Sequence, residues 1–213
     1  MVSEWTKPDH ALDYLRRLEE IPHRKEGEAT LISEVPKHAT RILDLGCGNG
    51  HLLALLLVHC NKATGVGVDF SPTMLNEAAR RFAGEPRVEL VTHNLDSHLP
   101  DLGRFDVIAS SFAIHHCADD RKRAIYREVW DFLEPVGTFC NLEHVASPNE
   151  HVHKRFLDAM NTAGEDEDPS NQLLDVETQL QWLREIGYQD VDCYWKWREL
   201  ALIVGRKPAS AGT

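Results

Sequence analysis

The sequence predicts an α/β fold: a mostly parallel seven-stranded sheet with helices on both faces, preceded by an N-terminal helical cap. Three observations lead there. From Arg41 onward, short apolar runs of strand length alternate with longer segments of helical periodicity. Three glycines within five residues, Gly46-Cys47-Gly48-Asn49-Gly50, join the first apolar run to the first such helix. An aspartate, Asp69, closes the second apolar run, at the sheet edge where ligands of open α/β sheets bind.

The elements follow in order. Residues 1–37 read as the cap. In 11–20, Leu12, Leu15 and Leu18 recur at helical spacing before Pro22 ends the run. In 26–35, Ala29, Leu31, Ile32 and Val35 can pack as one face, and 21–25 is a polar turn between the two. The body, residues 38–206, opens with a strand at 41–45 that stops at the glycines, then a buried helix at 51–60. A strand at 64–69 and a helix at 72–82 follow, with Pro72 in its first turn. Strands at 87–91 and 105–110, an amphipathic helix at 121–133 and a strand at 137–142 complete the alternation. A helix is expected at 150–163, then an acidic solvated turn at 164–169. Asp175 can cap a helix over 176–186 that Gly187 closes. Strands at 191–197 and 199–204 end the sheet, and 207–213 is expected to be a flexible tail.

Composition narrows the function. One α/β domain fits 213 residues, and 42% hydrophobic residues can bury one sizeable core. The formal net charge of −11 repels phosphate backbones within a Debye length of about 8 Å. A nucleic-acid substrate or an anionic membrane is therefore disfavoured and a small molecule favoured, with the oligomeric state left open. Five scattered cysteines without a CxxC pair read as reduced thiols in a cytoplasmic setting. The N-terminus is charged early, unlike a secretory signal. The longest apolar stretch, 52–58, is far short of the ~20 residues of a membrane span.

Glycines let the backbone turn sharply and approach a ligand with no Cβ in the way. An ordinary tight turn would also explain them. Asp69, at the tip of the neighbouring strand, supplies the second half of a binding site, because a carboxylate there can accept both hydrogen bonds of a ribose diol. The G-x-G-x-G spacing differs from the G-x-G-x-x-G of nicotinamide enzymes.

Together, Ile42 to Gly50, Val68-Asp69-Phe70-Ser71-Pro72, Phe105 to Ser111, Ile114-His115-His116 and Leu133-Glu134-Pro135-Val136-Gly137 resemble the motifs of class I S-adenosylmethionine-dependent methyltransferases. The resemblance implies a Rossmann-like fold, S-adenosyl-L-methionine as cofactor, and methyl transfer to an acceptor it does not identify. It implies that Gly46, Cys47, Gly48 and Gly50 lie against the cofactor's methionine and ribose. Asp69 would hold the ribose hydroxyls, Phe70, Asn94 and Leu95 the adenine, and Ser110 the methyl-transfer region. Asn94 stands where the family often has aspartate, and Val136 where a second glycine is common. A non-catalytic S-adenosylmethionine-binding partner module is the alternative reading.

Residues beside the expected methyl position supply candidates for the chemistry. Histidine titrates near neutrality and can take a proton from an attacking acceptor. His115, after the fourth strand, and Glu143, after the fifth, are the catalytic candidates. His116 and His144 are candidates for substrate contact, as are Tyr14 and Arg24 from the cap, the latter through its carboxylate-binding fork. No HExxH or paired-ligand spacing marks a metal site among the histidines. Trp195 and Trp197 share a strand face, as core packing or as an aromatic wall.

Overall fold

The computed structural model describes residues 21–160 and 167–210. The expected helix at 11–20 and Tyr14 lie outside them. Seven strands form one sheet in the order β3-β2-β1-β4-β5-β7-β6. They are β1 (Arg41–Leu45), β2 (Thr64–Asp69), β3 (Val88–Thr92), β4 (Phe105–Ser111), β5 (Leu133–His144), β6 (Gln189–Trp197) and β7 (Leu200–Arg206). Pairings from β3 through β5 are all parallel. β7 enters antiparallel between β5 and β6, so the sheet is mixed. The order reverses beside β1, which places the β1 and β4 carboxyl ends at the topological switch point.

Six helices are described: α1 (Arg24–Glu34), α2 (His51–His59), α3 (Pro72–Arg81), α4 (Asp119–Phe132), α5 (Glu150–Met160) and α6 (Val176–Ile186). Alternating strand residues serve two cores. Ile42, Val107, Leu202 and Val204 pack with Leu31 of α1, Leu53 and Leu56 of α2 and Phe156 of α5. Leu43, Leu45, Ile108 and Ile203 pack on the other face with Ile125 and Val129 of α4 and Leu180 and Leu183 of α6. Asp175 caps α6 by accepting from the Thr178 amide at 2.8 Å, and Gly187 ends it with φ 120°.

Three segments differ from the sequence expectation. β5 is longer at both ends, because Leu133 already pairs with Phe105 before a bulge carries the register to Thr138 opposite Val107. Within that bulge Val136 takes φ 62° and is largely exposed, a left-handed conformation that suits glycine and strains a β-branched residue. At the acidic turn, Glu167 and Asp168 are not simply solvated: they bind His153 and Ser170. Lys207, placed in the tail, donates from Nζ to the Trp130 and Leu133 carbonyls. Trp195 and Trp197 both pack against the first core, with His23 stacked 4.7 Å from Trp197. No helix among the described residues is long and apolar enough to cross a membrane.

Candidate active site

β1 ends in a backbone turn that touches two neighbours. Gly46 has φ 70°, and a Cβ there would sit 2.1 Å from the Ala113 Cβ. The Gly46 and Cys47 amides donate to the Val68 carbonyl at 2.8 and 2.9 Å, tying the turn to the tip of β2. Gly48 has φ 52°, and a Cβ there would meet only Met74 Sδ, at 4.0 Å. Its amide donates to Asp69 Oδ2 at 2.8 Å, while Ser71 N donates to Oδ1, also at 2.8 Å. The Asp69 carboxylate is thereby aimed by backbone alone and keeps acceptor capacity for a ligand. Burial raises its pKa, against the pull of the Ser71, Gly48 and Phe70 amides.

Asp44, inside β1, lines the same cleft. It is 1% exposed, and no side chain pairs with its carboxylate, whose one polar neighbour is the Leu53 backbone, too far for a well-formed hydrogen bond. Burial and the nearby Asp69 charge push its pKa to about 7, with the Leu53 backbone pulling the other way. An ionised carboxylate in that setting calls for a cation.

The opposite end of the cleft is made by side chains. His116 follows β4 in a single 3-10 turn, Ile114–His116, and lines the cleft with Ser111 and Ser170. Ser170 Oγ lies 2.9 Å from His116 Nδ1. Burial and the adjoining His115 lower the His116 pKa to about 3, against the opposing fields of Asp168 and Glu143. Behind it, His115 Nδ1 is 2.6 Å from Glu143 Oε1. Both are buried, which favours their neutral forms: His115 falls to about 3 and Glu143 rises to about 7. The chain of contacts continues from Glu143 to Asn141, Tyr126 and Gln179. At the cap, Arg24 pairs with Glu28 at 2.8 Å, and Glu28 also meets His51 at 3.3 Å.

Residues 42–137 match the methyltransferase domain family. The chain is 31% identical over 180 residues to the demethylmenaquinone methyltransferase of Clavibacter sepedonicus, covering 77% of this chain and 71% of that protein. This chain belongs to the class I S-adenosylmethionine-dependent methyltransferases. An uncharacterised methyltransferase of Bacillus subtilis, YcgJ, is 31% identical over 74% of this chain and 60% of its own length. Among solved structures, an O-methyltransferase family protein of Burkholderia thailandensis has the same fold, with a TM-score of 0.74 at 20% identity over 96% of this chain and 60% of that one. The chain spans 60%, 38% and 55% of the lengths of three of its curated relatives.

The donor set fits the family's cofactor, S-adenosylmethionine. Asp44 offers an uncompensated carboxylate to an ammonium, Asp69 an aimed carboxylate to a diol, and the Gly48 surface admits close approach.

The structure sorts the expected residues of this family member. Gly46, Cys47, Gly48, Asp69, Phe70, Asn94 and Leu95 line one cleft with Arg24 and His116. Gly50 caps the start of α2 instead. Ser110 does not reach the cleft: it is fully buried, and its Oγ donates to the Leu45 carbonyl at 2.8 Å. Its neighbour Ser111 lines the cleft, with an Oγ that is buried and unpartnered. One residue along a strand reverses the face. His115 and Glu143 stand behind the cleft wall. His144 is directed away, its Nε2 3.0 Å from Glu199 Oε2.

Sequence reasoning missed Asp44, Ser111, Asp96 and Ser170, all of which line the cleft. A signal existed for Asp44: a charged residue inside an otherwise apolar strand. None existed for Ser170, which reaches His116 across 54 positions. Among the described residues, no group of three or more His, Cys, Asp or Glu side chains is arranged to hold a metal ion.

Proposed function

We propose that this chain transfers the methyl group of S-adenosylmethionine directly to a small molecule. The observation that carries the reading is the pairing, in one cleft, of the buried Asp44 carboxylate, which no cation or side chain balances, and backbone-aimed Asp69 with the half-buried imidazole of His116. Asp44 would take the cofactor's ammonium, Asp69 its ribose diol, and Phe70, Asn94 and Leu95 its adenine. The bound sulfonium supplies an already activated methyl group.

What remains for the protein is to align the acceptor and handle its proton. Alignment alone can contribute several kcal/mol, on the order of 7 in good cases. With its pKa lowered to about 3, His116 is neutral at ordinary pH and meets an acceptor as an uncharged ring. His115 and Glu143 act through it as positioning residues, since the rings of His115 and His116 lie 4.0 Å apart. Arg24 enters the cleft with its charge balanced by Glu28. That balance favours a neutral acceptor over a carboxylate. The net charge of −11 and the half-buried histidine speak for a small molecule rather than a nucleic acid.

The test is calorimetric titration with S-adenosylmethionine and S-adenosylhomocysteine, followed by turnover against phenols, quinols, amines and thiols. Asp69→Ala is expected to weaken cofactor binding by at least about tenfold, the value of a charged hydrogen bond. His116→Gln is expected to leave that affinity unchanged and lower turnover by about a hundredfold. Tight binding with no turnover across the panel would favour a non-catalytic partner module. No binding of either compound would end both readings.

A further inference from the structure

We infer that His51, steadied by Glu28, holds the α-carboxylate of the cofactor and so makes this chain select S-adenosylmethionine over its decarboxylated form. This selection rests on the cofactor reading above, in which Asp44 takes the ammonium. In S-adenosylmethionine the ammonium and the carboxylate are bonded to one carbon, so the group that meets the carboxylate has to stand close to Asp44. The Asp44 carboxylate has the Leu53 backbone as its polar neighbour. Leu53 lies in the first turn of α2, the helix that His51 begins. His51 directly follows the glycine turn, and its amide donates to Asn49 Oδ1 at 3.2 Å. It lines the same cleft as Asp44, with 37% of its side chain exposed.

Glu28 decides which part of the ring is left for a ligand. Its Oε2 lies 3.3 Å from His51 Nε2, and its Oε1 pairs with Arg24 Nη2 at 2.8 Å. Glu28 is buried on α1. Burial raises its pKa, but the His51 ring and the Arg24 guanidinium outweigh burial and hold it below the ordinary glutamate value. An ionised carboxylate beside Nε2 calls for a proton on that nitrogen, which leaves Nδ1 for a ligand. Among the described residues, Nδ1 has no hydrogen-bond partner. A second carboxylate at Nδ1 makes the ring an imidazolium between two anions. This chain already holds one ring in that way: His153 has Nδ1 2.9 Å from Glu199 Oε1 and Nε2 3.2 Å from Glu167 Oε2. Long-range charge works in the opposite direction. A net charge of −11 attracts the decarboxylated form, which is more positive, more strongly. A preference for the carboxylate therefore has to come from a local cation.

The test is calorimetric titration of the full chain with S-adenosylmethionine and with decarboxylated S-adenosylmethionine, which keeps the sulfonium, ammonium, ribose and adenine. The native chain is expected to bind the first at least about tenfold more tightly, the value of a hydrogen bond between charged groups. His51→Ala is expected to erase that preference, losing affinity for S-adenosylmethionine while its affinity for the decarboxylated form changes by less than about twofold. His51→Lys, which keeps a cation, should retain most of the preference. Glu28→Gln should reduce it, with unchanged affinity for the decarboxylated form as the sign that the cleft is still formed. Equal binding of the two compounds by the native chain overturns the inference. So does a preference that survives His51→Ala, an equal loss of both ligands in that variant, or a preference lost only in Arg24→Gln. A native chain that binds neither compound would instead sink the cofactor reading, and the role of His51 with it.

Discussion

At one end of the cleft, position is set by main chain: the Gly46 to Gly48 turn, two amides on the Val68 carbonyl, and two more on the Asp69 carboxylate. At the other end, position is set by side chains brought from three places: His116 after β4, Ser170 before α6, and Arg24 on α1. A main-chain site is rigid and tolerant of what its side chains are, provided none is added. A side-chain site can be altered piece by piece without disturbing the sheet. The first arrangement suits a ligand that does not change, and the second suits one that does.

The sharpest way to break this contrast is to add one methyl group to the turn. Gly46→Ala forces a Cβ to 2.1 Å from that of Ala113 at φ 70°. It is expected to cost more than about 3 kcal/mol, lowering Tm by roughly 6–12 °C in thermal denaturation. Gly48→Ala meets nothing nearer than Met74 Sδ at 4.0 Å. It should cost only about 1 kcal/mol of backbone strain, and its larger effect should be on cofactor affinity, because the new methyl occupies the approach. If both variants unfold equally, the turn is only structural.

The second contrast is electrostatic. Asp44 has its folded pKa raised from 3.8 to about 7. For a carboxyl group raised on folding, the native state holds the extra proton, so stability falls as pH rises from about 4 to about 7. Asp44→Asn is therefore expected to stabilise the ligand-free chain by about 1–3 kcal/mol above pH ~7, and to change little below pH ~4. The same change should weaken cofactor binding by about tenfold or more at pH ~8. In the native chain, affinity should decline as pH falls through about 7, with proton release on binding near that pH, read by calorimetry in buffers of different ionisation enthalpy. Native affinity that is flat across that range would show that Asp44 does not face the ammonium.

The same division explains what could be read from the sequence. Each part of the cofactor end lies within one strand-turn-helix unit, so β1, the glycines and Asp69 were legible from local pattern. The mixed sheet was legible only as mostly parallel, since the direction of β7 depends on its pairing with β5. Ser110 and Ser111 differ by one position, and in a strand whose residues 107–110 are buried on both faces no period tells which side meets the cleft. His115 and His116 were legible as a pair, but which of them faces the cleft is decided by Glu143 drawing His115 into the wall and Ser170 holding His116. Those partners lie 28 and 54 residues away. Asp168 read as solvated because acidic runs usually are, and its bond to Ser170 follows from the fold of the following loop.

The smallest effect expected lies behind the side-chain end, and its pH dependence is narrower than that of Asp44. His153 on α5 has Nδ1 2.9 Å from Glu199 Oε1 and Nε2 3.2 Å from Glu167 Oε2. Glu167 directly precedes Asp168, so this histidine anchors the segment that holds His116. Burial lowers its pKa, but Glu199 and Glu167 outweigh burial, and the net shift is upward. A histidine raised on folding stabilises the native state fully below its unfolded pKa of about 6.5, and that contribution disappears as pH rises through the folded value. His153→Gln should therefore cost up to about 1 kcal/mol near pH 6, a modest figure because solvent reaches the pair. The difference between variant and native chain in denaturant unfolding should then close toward pH ~9. A gap that widened with pH would mean that His153 is held as a neutral donor, and that Glu199 rather than the ion pair anchors the segment.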